Sequence, residues 1–323
     1  MKNNKWEKKL QKYKNRKRNF LIKNEKCKFL KLKKVFRPII RSGLFIQRKI
    51  NGFSVEIMNE KSAFHNKPII FVVTHIGKWD FEIVNEQIQE QFYVIAADYK
   101  NLSRGLNGII LKANGIVYVD ERDKADKMNT KEIMIRLLRC GANIMIFPEG
   151  TWNLSENSIV NDIAYGAVYS AIETGASICP IAIEQYDKRF VINMGKTIEV
   201  TGKNINKKKL NCELRDMLAT LKWQIWEREG LKKRSDISDD YWKNFIEQRR
   251  REWKEYSLRE QIINTYIPEE KRQYWLTQIE LKTKNIPTWL EILKNEEGLG
   301  WMTNDNFDTY NSLTPNWYYK VLR

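Results

Sequence analysis

At 323 residues and 38.6 kDa, with 42% apolar and 30% charged residues, the chain can bury at least one full core, which excludes a disordered or collagen-like polypeptide. Its formal charge of +17 sits in one place: Met1 to Ile50 carry 19 Lys or Arg against Glu7 and Glu25, whereas the other 273 residues balance 38 bases with 38 acids. Four cysteines at 27, 140, 179 and 212 form no C-x-x-C pair and have no histidine at ligand spacing, which argues against a disulfide framework or a zinc site and fits a reducing compartment.

Residues 1–48 form the first predicted unit. Phe20, Leu21, Cys27, Phe29, Leu30, Leu32, Val35 and Phe36 are spaced for a basic amphipathic helix between Leu21 and Phe36, with Pro38, Ile39, Ile40, Leu44, Phe45 and Ile46 beyond it. Such a segment either covers the core of the main domain or attaches to an anionic lipid surface. In the second case each nearby Lys or Arg contributes roughly 1 kcal/mol and the apolar face enters the interface. The segment lacks the apolar run of a secretory signal, and no stretch of the chain approaches 18 uncharged apolar residues, so no membrane span is expected.

Residues 49–205 alternate short β-branched runs with helical stretches. Strands are predicted at Phe53 to Met58, Pro68 to Thr74, Phe92 to Ala97, Ile116 to Val119, Asn143 to Phe147, Ser177 to Ile183 and Phe190 to Asn193. Helices are predicted near Trp79 to Gln89, Arg104 to Ala113, Thr130 to Cys140 and Asp162 to Thr174. This interleaving predicts an α/β domain, a mixed and largely parallel sheet flanked by helices, with ligands beyond the carboxyl ends of the strands.

Residues 206–323 read as a helical C-terminal extension, rich in charge and in tryptophan (Trp223, Trp226, Trp242, Trp253, Trp275, Trp289, Trp301, Trp317). Aromatics beside Arg249, Arg250, Arg251, Lys271 and Arg272 are a pattern that can stack single-stranded nucleic acid. Glu247, Glu252, Glu255, Glu269 and Glu270 offset those bases, so inward-packed aromatics and no nucleic-acid partner are expected.

The chemistry-bearing residues are few. Of the two histidines, His65 lies in a polar segment, whereas His75 ends the run Pro68-Ile-Ile-Phe-Val-Val-Thr-His75 and has Asp80 five residues on. Positions i and i+5 point about 140° apart on an unbroken helix, so the pair can meet only across a bend, which Gly77 is expected to supply. Asp80 would then fix the imidazole tautomer and stabilise the imidazolium formed when His75 takes a proton. A second constellation, Asn143-Ile-Met-Ile-Phe-Pro-Glu-Gly-Thr151, reads as a buried strand stopped by Pro148 that exposes Glu149, Gly150 and Thr151 at its carboxyl end. Glu149 there serves as an acceptor or positioning group, or the polar residues simply cap the next helix.

His-x4-Asp at a strand end followed about 70 residues later by Phe-Pro-Glu-Gly-Thr resembles the glycerolipid acyltransferase family typified by 1-acylglycerol-3-phosphate acyltransferases. Gly115-Ile-Val-Tyr-Val-Asp120 with Arg122 is similar to that family's second block, and Ile178-Cys-Pro-Ile-Ala-Ile183 to its fourth. The resemblance covers roughly residues 50–205. It implies that His75, oriented by Asp80, deprotonates an acceptor hydroxyl, which attacks a fatty acyl thioester of coenzyme A or acyl carrier protein. Glu149, Gly150, Thr151 and Arg122 would hold the acceptor, a lysophospholipid and most readily 1-acylglycerol-3-phosphate. The thioester is a co-substrate, and neither a further cofactor nor a metal is implied. The implied setting is a peripheral one on the cytoplasmic face of an anionic membrane. Two positions depart from the family pattern: Glu121 separates Asp120 from Arg122, and Trp152 with Asn153 follows Thr151 where an Arg is common. Trp cannot replace a bidentate guanidinium, which leaves Lys78, Lys112 and Lys124 as further candidate cations and a different hydroxyl acceptor as an alternative. A competing reading without catalysis is an anionic-surface or nucleic-acid binder acting through its basic N-terminus.

Overall fold

The computed structural model describes residues 2–23, 29–59, 67–97, 99–120, 123–153, 158–201 and 205–230, parts of 234–248, and two short paired strands, Leu281–Lys282 and Asn304–Asp305. His65, Arg122 and the tryptophans at 242, 253, 275, 289, 301 and 317 lie outside the described residues.

The predicted α/β architecture is present as a seven-stranded sheet. Its strands are β1 (Ser54–Ile57), β2 (Ile69–Val73), β3 (Phe92–Ala96), β4 (Ile116–Tyr118), β5 (Asn143–Ile146), β6 (Ser177–Tyr186) and β7 (Arg189–Met194), in the order β1-β7-β6-β2-β5-β3-β4. Every pairing is parallel except β6 with β7. The central strand β2 is buried at all five positions, as expected of an uninterrupted apolar run covered on both faces. β6 runs three residues past its predicted end because it returns as a hairpin onto β7, with Asp187 at φ 52° in the turn.

Alternation along the strands sends side chains to opposite faces. On one face Ile70, Val72, Ile144 and Ile178 pack with α6 (Lys124–Arg139), α7 (Gly166–Thr174) and Leu210, Leu214 and Leu218 of α8 (Lys207–Glu229). On the other, Phe71, Val73, Met145 and Ile181 pack with Ile83 and Val84 of α3 (Asp80–Gln87) and Leu111 of α5 (Gly105–Asn114). A one-turn helix, α4 (Tyr99–Leu102), precedes α5 and has no counterpart among the predicted elements. Helix α8 begins with Asn206, whose side chain accepts Lys209 N–H, and it buries Leu214, Leu218 and Ile225 completely. The core therefore runs past the boundary expected at residue 205, because Leu210, Leu214 and Leu218 of α8 complete the layer that α6 and α7 begin on that face.

The single helix expected between Leu21 and Phe36 is instead two helices, α1 (Lys2–Ile22) and α2 (Leu30–Ile50). Arg136 donates to the carbonyls of Phe20 (2.6 Å) and Leu21 (3.3 Å), which satisfies the end of α1. Pro38 stands inside α2. The α2 helix buries Leu30 and Leu44 against the domain but leaves most of its apolar side chains exposed. Its inner face carries cations: Arg37 donates to the carbonyls of Asn85 and Ile88 (2.6 Å each), Arg41 to Glu86 O (2.9 Å), Arg48 to Glu86 Oε2 (2.6 Å) and Lys33 to Lys112 O (2.5 Å). These groups close the C-terminal ends of α3 and α5, where carbonyls lack helical partners. Phe29, Leu32, Phe36, Ile39, Ile46 and Ile50 fall at spacings of three, four and seven residues and are exposed on the opposite side. Among the described residues no helix is long and apolar enough to cross a membrane.

Candidate active site

The strand β2 delivers Thr74 and His75 to the carboxyl edge of the sheet, and β5 delivers Phe147 to Thr151 beside them. Thr74 locks the first segment in place: its N–H donates to Ile181 O (3.0 Å) and its Oγ1 accepts Ile183 N–H (3.1 Å). The chain then bends into α3, and Asp80, the first residue of that helix, points back at the bend.

The expected pairing of His75 with Asp80 is present at 2.8 Å between Nδ1 and Oδ2. The same oxygen accepts the N–H groups of Ile76 (2.6 Å) and Gly77 (2.9 Å). An oxygen already taking two backbone donors acts as an acceptor, so Nδ1 carries the hydrogen and Nε2 presents a lone pair. Gly77 serves here through its N–H and is not one of the glycines at positive φ. Asp80 is fully buried, whereas the His75 side chain is 22% exposed, so the imidazole is anchored on its Nδ1 side and partly open to solvent. The ring stacks on Phe147 with centroids 4.3 Å apart and meets the edge of Trp152 at 6.1 Å.

Glu149 is brought to the same place and used internally. Oε1 accepts His75 N–H at 3.0 Å and Oε2 accepts Asn161 N–H at 2.9 Å, so the carboxylate ties the end of β2 to the segment after residue 158. It is 2% exposed. Burial pushes its pKa up, while Lys222 of α8 and the two backbone donors pull the other way. Gly150 follows at φ 73°, a left-handed conformation that lets the strand turn away from the sheet, and its N–H returns to Phe147 O at 3.2 Å. Thr151 is buried beside it, and Asn153 N–H donates to His75 O at 2.7 Å. Two segments therefore meet at His75: the start of α3 at its ring, and the stretch 147–153 at its ring, its N–H and its carbonyl.

Trp152 is buried at 3% exposure against the imidazole, occupying wall where a guanidinium was sought in the sequence. Of the alternative cations, Lys78 lies 4.7 Å over the Trp79 ring at the bend, Lys112 ends α5 and Lys124 begins α6. Sequence reasoning missed Phe147 as a ring support and Asn161 and Lys222 as partners of Glu149. Phe147 stood inside the recognised motif, but nothing in the sequence marked the other two. Lys222 also reaches Glu184 at 3.2 Å, and Trp226 Nε1 donates to the same oxygen at 3.0 Å. Among the described residues no three His, Cys, Asp or Glu side chains converge as a metal site would require.

Residues 54–184 match the family model described as Acyltransferase. The 1-acyl-sn-glycerol-3-phosphate acyltransferase of Borreliella burgdorferi is 25% identical over 156 residues, 48% of this chain, and the chain spans 61% of that relative's length. The crystal structure of the 1-acyl-sn-glycerophosphate acyltransferase from Thermotoga maritima superposes with a TM-score of 0.50 at 14% identity, covering 63% of this chain and 84% of that one, which shows a shared fold.

Proposed function

We propose, on the premise that residues 54–184 are a domain of the acyltransferase family, that this protein transfers a fatty acyl group from an acyl thioester to the hydroxyl of a lysophospholipid, 1-acylglycerol-3-phosphate foremost. The observation that carries the reading is the His75 and Asp80 pair: a buried carboxylate on Nδ1 and an Nε2 lone pair at the carboxyl edge of the sheet. Nε2 takes the acceptor's proton as the oxygen attacks the thioester carbonyl. The tetrahedral intermediate collapses, the thiolate leaves, and the imidazolium returns the proton to sulfur. Asp80 offsets the imidazolium charge formed along the way. Phe147 and Trp152 hold the ring in plane, and Glu149 fixes its backbone. Arg122 is the proposed partner of the acceptor phosphate, with Gly150 and Thr151 shaping the acceptor side. Coenzyme A and acyl carrier protein both satisfy this chemistry as donors.

The lysophospholipid acceptor and the acylated product reside at a membrane, and we assign the attachment to α2. Its exposed apolar stripe of Phe29, Leu32, Phe36, Ile39, Ile46 and Ile50 is flanked by exposed Lys31, Lys34 and Lys49, the arrangement of an interfacial helix on anionic lipid. Cysteine usage favours the cytoplasmic face. The test is thiol release from long-chain acyl-CoA and acyl carrier protein with lysophosphatidate and other lysolipids on anionic vesicles, for wild type and His75→Ala. Acceptor-dependent release lost in the variant supports the assignment. Equal release by both proteins, or none by the wild type with any pair, overturns it.

A further inference from the structure

The helical layer across the sheet from α2 carries a group of lysines that the fold does not neutralise. Lys124, Lys127 and Lys131 follow one another at i, i+3 and i+7 on α6, which puts them on one face over about 10 Å. Lys131 Nζ lies 4.0 Å from the centre of the Tyr169 ring on α7, and Lys207 Nζ of α8 lies 4.5 Å from the centre of the same ring. Two ammonium groups from two helices therefore share one aromatic side chain. Lys124, Lys127, Lys207 and Lys208 are exposed, and Lys131 is half-buried. Among the described residues none of these five has a carboxylate partner, whereas the neighbouring Lys209 and Arg215 are paired with Glu213 (3.8 Å) and Asp162 (2.5 Å). Against the five lysines, α6 and α7 expose only Glu132 and Glu173.

Local physics disfavours this arrangement. Like charges repel across the Tyr169 ring, and the lysines in the first turn of α8 oppose the helix dipole. An acidic partner offsets both. The face also lies near the reacting edge: α6 and α7 follow the carboxyl ends of β4 and β5, and Ala164 N–H, just before α7, donates to Pro148 O (2.9 Å) beside Glu149. The helix assigned to lipid, α2, closes α3 and α5 on the opposite side of the sheet, so a protein resting on α2 turns the lysines towards water. We propose that the lysines of α6 and α8 are the docking surface for an acidic acyl carrier protein, which presents its thioester arm at the carboxyl edge. The span of the charges favours a protein over the nucleotide of coenzyme A. Three lysines repeating along one helix, with a second group across Tyr169, match acidic residues spaced along a partner's helix rather than one compact phosphate group. The inference rests on the acyltransferase reading and deepens it by naming the donor.

The experiment uses the full chain with lysophosphatidate as acceptor and two donors of equal acyl length, palmitoyl-acyl carrier protein and palmitoyl-CoA. Lys127→Glu combined with Lys207→Glu is expected to raise KM for the carrier-protein donor about tenfold or more, with kcat and KM for palmitoyl-CoA within about twofold of wild type. Retained turnover of palmitoyl-CoA also shows that the variant is folded. Lys127→Arg with Lys207→Arg keeps the wild-type KM. Added salt raises the wild-type KM for the carrier-protein donor, and the Glu variant loses most of that dependence. An unchanged KM for the carrier-protein donor overturns the proposal. An equal rise with both donors assigns the lysines to the phosphates of coenzyme A, and loss of flotation with anionic vesicles assigns them to lipid; either result overturns it as well. Binding of holo-acyl carrier protein to the immobilised protein, without substrate, keeps the two readings apart. Binding that is lost in the Glu variant supports the docking surface even where no acceptor turns over and the acyltransferase reading fails. Absence of binding to wild type overturns the surface, while turnover of palmitoyl-CoA leaves the acyltransferase reading standing.

Discussion

Replacing Asp80 by Asn tests the proposed mechanism with little change of shape. Asp80 uses Oδ2 for all three of its contacts, with His75 Nδ1 and the N–H groups of Ile76 and Gly77, while Oδ1 accepts no hydrogen bond among the described residues. An asparagine can therefore place its carbonyl oxygen on the three donors and its amide nitrogen where Oδ1 stood, keeping the tautomer of His75. What it loses is charge. At 2.8 Å and an effective dielectric near 20, the attraction between carboxylate and imidazolium is roughly 6 kcal/mol. That charge exists only once His75 has taken the acceptor's proton, so the loss falls on the transition state. Converted at 1.36 kcal/mol per decade, it lowers kcat by about 10⁴, with KM for both substrates within a few-fold. Single-turnover thiol release, with a thermal melt on the same sample, measures both effects. A folded variant retaining a tenth or more of wild-type kcat would refute Asp80 as the electrostatic partner and leave it a purely structural cap.

Glu149→Gln should destabilise the fold by about 1–3 kcal/mol and lower kcat together with it, because an amide can accept only one of the His75 and Asn161 N–H groups and opposes the other with its own donor; differential melting against wild type checks this. Glu82 is raised to about 7, chiefly by burial, so the folded state holds its proton more tightly than the unfolded chain. The stability gained is complete below about pH 4.5 and is lost as pH rises through about 7. Glu82→Gln should flatten that slope, and a melting-temperature gap between variant and wild type that stays constant from pH 5 to 8 would contradict it. The double change Phe36→Glu with Ile39→Glu lies on the exposed stripe and should abolish flotation with anionic vesicles while shifting stability by under about 1 kcal/mol. A chain ending at residue 205 removes the buried Leu214, Leu218, Leu221 and Ile225, each contributing about 1.5–3 kcal/mol, and should be unfolded by circular dichroism.

The parts of this architecture written in short-range pattern were legible. The run from Pro68 to Thr74 announces a central strand because five consecutive apolar residues have nowhere to go but between two helical layers, and His75 and Asp80 inherit their placement from it. Trp152 was legible as a missing guanidinium but not as a wall behind the imidazole, because its burial depends on a strand end 74 residues away in sequence from His75's neighbour Glu149. In α2 the stripe could be read while its direction could not. An apolar stripe facing outward becomes the better solution only once Arg37 and Arg41 meet carbonyls at the end of α3 and Arg48 meets the Glu86 carboxylate, and nothing local encodes those partners. Lys14 and Lys17 belong to the same class: in the sequence they are two charges among nineteen, and their partners are more than a hundred residues on.

The parallel pairing of β1 with β7 sets an order on biosynthesis. Glu56 lies opposite Val191, some 135 residues later, and β7 reaches the central strands only through β6. At roughly 5–20 residues per second, the ribosome exposes β1 for about 7–27 seconds before its partner strand exists. Throughout that interval the nascent chain displays an unpaired strand edge next to the apolar stripe of α2. Folding of this protein is therefore expected to be slow to complete and to carry an aggregation-prone edge until β6 and β7 are made.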